Sequence, residues 1–100
     1  MGFDRWDYHF EGAYTDPNKL QTSAGVYVIW CKDGEMWTKL DVGESDNVRD
    51  RVNNHERADC WIENCSGTIY YSATYISDPE ERSNLEQKIR DSEKVACGER

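Results

Sequence analysis

A chain of 100 residues is long enough for one compact domain but not for two, and its net charge of −8 disfavours nonspecific binding to a phosphate backbone. The chain is poor in aliphatic residues, but four tryptophans and six tyrosines supply large apolar side chains for a core. No run approaches the roughly 20 apolar residues that cross a bilayer, and no basic and then apolar signal segment follows Met1. These features predict a folded cytoplasmic domain with no membrane partner.

The cysteines are predicted to be reduced thiols, because disulfides are rare in the cytoplasm. They are Cys31, Cys60, Cys65 and Cys97, and their spacing fits none of the common zinc patterns. His55 lies five positions before Cys60, so a zinc site made from His55 with Cys60, Cys65 and Cys97 is one alternative. Ordinary buried thiols are the favoured interpretation.

The first part of the chain carries aromatic residues at every second position, at Trp6, Tyr8 and Phe10. This alternation indicates either a short edge strand or an arm that packs on the domain. We therefore predict an N-terminal arm over residues 1–22 and one domain over residues 23–100.

Two strands of a hairpin are predicted next, over residues 26–31 and 36–42, because apolar side chains alternate in both. Even-numbered positions are the apolar ones in each strand. The two apolar faces coincide only if paired residue numbers add to an even total, since a slip of one residue would turn one strand over. A three-residue loop at 32–34, with Gly34 in the left-handed conformation, gives that register.

The same register predicts the positions of three polar side chains. Tyr27, Lys39 and Asp41 are odd-numbered, so they should share the face opposite the core.

A helix is predicted to begin at Ser45 or Asp46, which are both good capping residues, and to end near residue 57. Residues 68–76 are rich in β-branched and aromatic side chains and predict a third strand. An Asp-Pro-Glu-Glu sequence predicts that a last helix starts at residue 79 and runs to about residue 93. The expected fold is α+β, a small three-stranded sheet flanked by helices in the order β-β-α-β-α.

Several residues of this arrangement match a known pattern. Gly-Val-Tyr at 25–27 resembles the first half of the GIY-YIG signature, and Asp-Val-Gly at 41–43 stands where the second half belongs. Arg51, His55 and Glu86 occupy positions of the helix arginine, a following histidine and the metal-binding glutamate. Over residues 24–98 the chain thus resembles the GIY-YIG nuclease superfamily, as a small bacterial-type single-domain member with a GIY-YIG-like fold.

The resemblance implies a metal-dependent endonuclease that hydrolyses nucleic acid, DNA above all, with Mg²⁺ or Mn²⁺. Glu86 would hold the metal, and Arg51 would bind and stabilise the phosphate. Tyr27 is expected to help deprotonate water, its pKa lowered by the metal and the arginine, and His55 to assist. Asp41, in place of the second tyrosine, would act as a base or as a second metal ligand.

Two departures from the family pattern leave a second interpretation open. Asp41 replaces a tyrosine, and Glu44 stands where lysine is frequent. These changes are also consistent with a catalytically impaired module that binds nucleic acid or, given the acidic surface, a protein partner.

Each candidate residue also has a plain structural interpretation. Glu86 has Arg82 and Arg90 one turn away on either side and could be an ordinary ion-pair residue. Arg51 could pair with a neighbouring carboxylate, and His55 could simply pack or cap a helix. What favours the site is that all these residues occur in the order that one fold requires.

Overall fold

The computed structural model describes residues 2–92 and 94–98, and this part of the chain contains five strands and three helices. In chain order they are β1 (Gly2–Arg5), β2 (Tyr8–Tyr14), β3 (Gly25–Asp33), β4 (Met36–Ser45), α1 (Val48–Asn53), α2 (Ala58–Glu63), β5 (Thr68–Tyr75) and α3 (Pro79–Ser92). A short 3-10 turn, Pro17–Lys19, lies between β2 and β3.

All five strands form one antiparallel sheet in the order β1-β2-β5-β3-β4. The predicted three-stranded sheet with element order β-β-α-β-α is therefore wrong; the observed order is β-β-β-β-α-α-β-α. The physical reason is that β5 would present an unpaired edge in a three-stranded sheet. The N-terminal hairpin covers that edge through β2, so Tyr8 and Phe10 belong to a strand of the sheet and Trp6 lies in the turn before it.

The pairing of β3 with β4 has the predicted even register only near Tyr27 and Gly43. Tyr27 pairs with Gly43 and Ile29 with Asp41, so paired numbers add to an even total there. A bulge follows, and the rest of the hairpin is shifted by one residue. The turn is therefore the two residues Gly34 and Glu35, and the predicted three-residue loop at 32–34 is wrong.

The bulge also changes which side chains share a face. Asp41 lies on the same face as Tyr27, but Lys39 pairs with Trp30 and its Nζ donates to the carbonyl of Ile89 on the other face, at 3.0 Å. The prediction that Lys39 accompanies Tyr27 and Asp41 is wrong, because one extra residue reverses the alternation.

Both faces of β3 are buried, and each face packs against a hydrophobic core of its own. The odd face, so named for the numbering in β3, carries Tyr27, Ile29 and Cys31 and packs against α1 and α2. The even face carries Val26, Val28 and Trp30 and packs against α3 and the N-terminal hairpin. Helices on both sides explain why β3 is buried along seven successive residues.

The helices begin close to the predicted positions. The side chain of Asn47 accepts a hydrogen bond from the backbone of Asp50 and caps α1, which ends at Asn53 rather than near residue 57. A turn through residues 54–57 then leads into the separate helix α2. The last helix starts at Pro79, as its Asp-Pro-Glu-Glu sequence predicts.

The four cysteines form two disulfides, which corrects the prediction of reduced thiols. Cys31 bonds to Cys65 and Cys60 to Cys97. The zinc alternative is also overturned, because no thiolate is left to bind a metal. The second disulfide ties the segment after α3 to α2, and that segment hydrogen-bonds β4 through the amide of Cys97 and the carbonyl of Leu40, at 2.6 Å.

Among the described residues, the helices are all too short and too polar to cross a membrane.

Candidate functional site: a polar cleft at the edge of β4

A polar cleft of about 290 Å³ opens at the edge of β4. Its lining brings residues of α1 and of the odd face of β3 together with residues of α3 on the even side. Its lining residues come from six parts of the chain and are Tyr27, Gly43, Glu44, Arg51, Arg57, Glu86, Arg90 and Gly98. Three of the five predicted catalytic residues, Tyr27, Arg51 and Glu86, are thus brought together here.

Gly43, in the second half of the signature, leaves space for the phenol ring of Tyr27, in the first half. Tyr27 pairs with Gly43 across the two strands. A Cβ atom at residue 43 would collide with the Tyr27 hydroxyl. The pairing of Gly-Val-Tyr with Asp-Val-Gly therefore has a steric basis, since any other residue at 43 would displace the phenol from the cleft.

His55 lies behind the cleft and fixes the Tyr27 hydroxyl. Its Nε2 is 2.7 Å from the Tyr27 oxygen, and its Nδ1 accepts a hydrogen bond from the backbone N–H of Arg57 at 3.1 Å. Because Nδ1 accepts, the proton of the neutral imidazole belongs on Nε2, which donates to Tyr27. Burial, together with Arg51 and Arg57, lowers the pKa of His55 to about 4, so the ring is neutral at pH 7.

The phenol of Tyr27 keeps its proton at neutral pH. Burial raises its pKa, and the nearby charge of Arg51 offsets only part of that rise. The lowering of the Tyr27 pKa is expected from the metal and Arg51 together; Arg51 by itself does not produce it, because desolvation outweighs the attraction. Since the Tyr27 oxygen accepts from His55, its own O–H is available to donate into the cleft.

Arg51 pairs with a carboxylate that sequence analysis did not identify. Its Nη2 contacts both carboxylate oxygens of Glu56, at 2.8 and 2.5 Å. This hydrogen bonding raises the pKa of Arg51, which stays charged. The Glu56 side chain is 60% exposed, so the pair faces solvent. A phosphate could replace Glu56 at little cost, because exposed ion pairs contribute little.

Asp41 is buried behind the cleft and occupied by hydrogen bonds. Its carboxylate accepts from Arg57 Nε at 2.7 Å, from Trp61 Nε1 at 2.9 Å and from the amide of Val42 at 2.8 Å. A contact of 3.5 Å joins it to Arg90 Nη2. These donors surround both oxygens, so the geometry favours a role in holding the arginines over the predicted role as base or second metal ligand.

Arg57 and Arg90 are the cleft residues that sequence reasoning missed. Arg90 donates to the carboxylate of Glu86 at 3.1 Å and to the carbonyls of Val42 and Gly98, both at 2.6 Å. The spacing of Glu86 and Arg90 indicated an ion pair but not that the pair lines a cleft. In the sequence analysis, residue 57 was only the predicted end of a longer helix.

The predicted metal ligand Glu86 is 9% exposed and lines the cleft. Within residues 2–92 and 94–98, no group of three or more His, Cys, Asp or Glu side chains is placed to hold a metal. Mg²⁺ commonly uses only one or two protein carboxylates and completes its shell with water and substrate phosphate. Glu86 and Glu44 supply this number of carboxylates to the lining, and each is ion-paired with an arginine, Glu86 with Arg90 at 3.1 Å and Glu44 with Arg82 at 2.9 Å.

Comparisons with known proteins find no match: no family model fits the sequence, and no match emerges among curated proteins or solved structures. The chemistry of the cleft therefore has to be argued from its residues. Three guanidinium groups, two carboxylates and one protonated phenol converge on a volume that admits a phosphate group.

Proposed function

We propose that this chain is a metal-dependent endonuclease that hydrolyses nucleic-acid phosphodiester bonds with chemistry of the GIY-YIG type. The observation that carries the proposal is that Tyr27, Arg51 and Glu86, which are far apart in sequence, line one cleft beside Gly43. Mg²⁺ or Mn²⁺ is the proposed cofactor and DNA the proposed substrate.

Each residue of the cleft has a separate role in the proposed reaction. Arg51, released from Glu56, binds the phosphate and stabilises the charge that develops on it, with Arg57 and Arg90 beside it. Tyr27 donates a hydrogen bond to the reacting group, and His55 orients the phenol. Glu86 holds the metal, which when bound offsets negative charge on the phosphate and the leaving oxygen.

A cleavage assay on single-stranded, duplex and flap DNA, with Mg²⁺ or Mn²⁺, tests the proposal. Replacing Glu86 by alanine should lower the cleavage rate about 100-fold, because the metal loses its protein ligand. The exposed Glu80 in the first turn of the same helix is the matched control, and E80Q should cleave normally. Circular dichroism should give the same spectrum for all three proteins. Cleavage that persists without metal, or that E86A leaves unchanged, would count against the proposal.

A second candidate is a catalytically impaired module that binds nucleic acid or a protein partner. The observation that favours it is the state of the two residues that depart from the family pattern. Asp41 is fully buried among donors, and Glu44 is paired with Arg82 at 2.9 Å. Absence of cleavage combined with DNA binding that weakens steeply with salt would support the nucleic-acid version. Salt-insensitive capture of a protein would support the other.

The cytoplasmic location predicted from the sequence fits poorly with two disulfides, which persist mainly in oxidising compartments. Thiol trapping in intact cells, followed by fractionation, tests this location. Free thiols in the cytoplasmic fraction would support it, and fully oxidised protein in another fraction would contradict it.

A further inference from the structure

A second concave region lies at the turn end of the β3–β4 hairpin. This groove of about 340 Å³ is walled by Phe3, Ala13, Trp30 and Trp37, with Arg5 at its rim. We refer to these five residues as the aromatic groove. None of them lines the polar cleft, and the residues proposed for phosphodiester cleavage take no part in it. Its volume falls within the usual range for small-ligand sites.

One wall of the aromatic groove, Trp37, presents its ring to solvent, whereas Trp30 is buried beneath it. Trp37 is 44% exposed, although its ring lies 5.0 Å from that of Tyr70 and edge-on to Trp30 at 6.3 Å. The neighbouring Met36 is 67% exposed. Apolar side chains that cluster on the surface in this way usually mark a binding site.

Two cations flank the rings. The Arg5 guanidinium lies 5.5 Å from the centre of the Trp30 ring, and the Lys32 ammonium lies 5.4 Å from the centre of the Trp37 ring. The chain as a whole carries a charge of −8. Cations beside aromatic walls favour a ligand that combines a flat ring with an anion.

We propose that the aromatic groove binds an unpaired nucleobase of a single-stranded nucleic acid, with Arg5 and Lys32 beside the flanking phosphates. The proposal deepens the endonuclease function and rests on it, because it names single strands as the substrate class. Aromatic platforms with adjacent cations are how proteins bind single strands without sequence preference. A base within a duplex has both ring faces covered and could not enter the groove.

The distance between the two regions sets the length of strand required. Trp37 and Gly43 lie on β4, six residues apart, which corresponds to roughly 20 Å along the strand. Since a strand stacked in a duplex already advances about 3.4 Å per nucleotide, about six nucleotides or fewer span that distance. A single strand bound in the aromatic groove can therefore reach the polar cleft.

Binding of a fluorescein-labelled 12-nucleotide thymidine oligomer, followed by anisotropy in the presence of a chelator, tests the proposal without cleavage. W37A should weaken binding about tenfold, which is typical for loss of one stacked base. I62A is the matched control, since Ile62 is 65% exposed on α2, away from the groove, and it should bind as the wild type does. A duplex of the same length should bind at least tenfold more weakly than the single strand.

An abasic oligomer of equal length separates stacking from phosphate attraction. Weak binding of this oligomer by the wild type, with no further loss in W37A, would support the proposal. Equal affinity of wild type and W37A for the thymidine oligomer would overturn it. Binding of a fluorescein-labelled aromatic-rich peptide, with no binding of any oligomer, would also overturn it and assign the groove to a protein segment.

The E86A variant keeps this test apart from that of the proposed function. Cleavage is measured on E86A and oligomer binding on W37A, so each proposal has a readout of its own. If E86A still cleaves while W37A loses binding, the catalytic proposal fails and the groove stands. If E86A abolishes cleavage while W37A binds normally, the groove proposal fails and the catalytic one stands.

Discussion

The odd face of β3 packs against α1 and α2 and the even face against α3, yet different interactions hold the two faces together. On the odd face Cys31 forms a disulfide with Cys65, and Tyr27 is hydrogen-bonded to His55. On the even face Val26, Val28 and Trp30 pack with aromatic rings of the N-terminal hairpin. Polar side chains are buried on both faces, among them His55 on the odd side and Lys39 on the even side, but both disulfides lie on the odd side.

The disulfides on the odd side have a physical reason. Both His55 and Asp41 are buried on the odd side and need fixed partners. The helices there are only six residues long and bury few apolar side chains. Disulfides therefore supply stability that short helices cannot, in a chain poor in aliphatic residues. The variants below test this difference between the odd and even faces.

Removal of the disulfides should have the largest effect. Sequence separations of 34 and 37 residues imply that each bond contributes about 4 kcal/mol through the entropy of the unfolded chain. The C31A/C65A pair should lower the free energy of unfolding by about that amount, and reduction of both bonds should unfold the chain. Urea denaturation with and without dithiothreitol measures this. An unchanged midpoint under reducing conditions would show that the odd face does not depend on these bonds.

Replacing Asp41 by alanine should lower the free energy of unfolding by about 4 kcal/mol. The change leaves Arg57 and the indole N–H of Trp61 without their acceptor in a buried place. Urea denaturation gives the value. The control is D59N, which alters an exposed carboxylate on α2, the helix that carries Trp61, and should change stability by less than about 0.5 kcal/mol. Equal effects of the two variants would mean that Asp41 does not support the odd face.

The pH dependence of stability should report the neutral state of His55. The unfolded ring takes up a proton near pH 6.5 and the folded one near pH 4. Protons are therefore bound preferentially by the unfolded chain between these values, so stability falls as pH falls through the window and this contribution is constant below it. Relative to H55Q, the wild type should lose about 3 kcal/mol more between pH 7 and pH 4.

The exposed His9 provides the control for that experiment, and H9Q should keep the wild-type pH profile. Thermal unfolding at several pH values gives both profiles. Identical profiles for the wild type and H55Q would show that His55 is not held neutral.

Replacing Tyr27 by phenylalanine should have the smallest effect, a loss of about 2 kcal/mol. The ring and its packing remain, but the buried N–H of His55 loses its acceptor. Y70F is the matched change on the half-buried Tyr70 of β5 and should alter stability by less than about 0.5 kcal/mol. Chemical denaturation of both variants gives the comparison. A larger loss in Y70F than in Y27F would place the important hydroxyl on the even face.

Local patterns predicted the elements around the site well. Alternating apolar residues, the β-branched run and the Asp-Pro-Glu-Glu start correspond to β3, β4, β5 and α3. The even register also holds between Tyr27 and Gly43, because both strands are buried and their alternation is strong there. These features depend on residues close together in sequence or directly paired, and so sequence reasoning reached them.

Three other features depend on contacts that sequence does not encode locally. The N-terminal hairpin joins the sheet at β5, more than 50 positions along the chain. Disulfide pairing cannot be deduced from cysteine spacing, and the expectation of a reducing compartment excluded it from the start. In the site, Arg57 and Arg90 take their importance from Asp41, to which both are bound in three dimensions. Only the joint occurrence of Tyr27, Arg51 and Glu86 was visible in advance.

The bulge in the β3–β4 hairpin divides that hairpin into two registers. Between the bulge and the turn, the strands can gain or lose a residue at Gly34 and Glu35, and the bulge can absorb the shift before it reaches Tyr27 and Gly43. Loop-length variants of this turn should therefore reshape the aromatic groove while leaving the polar cleft intact. In an engineered chain, the ligand preference of one region could be varied independently of the chemistry of the other.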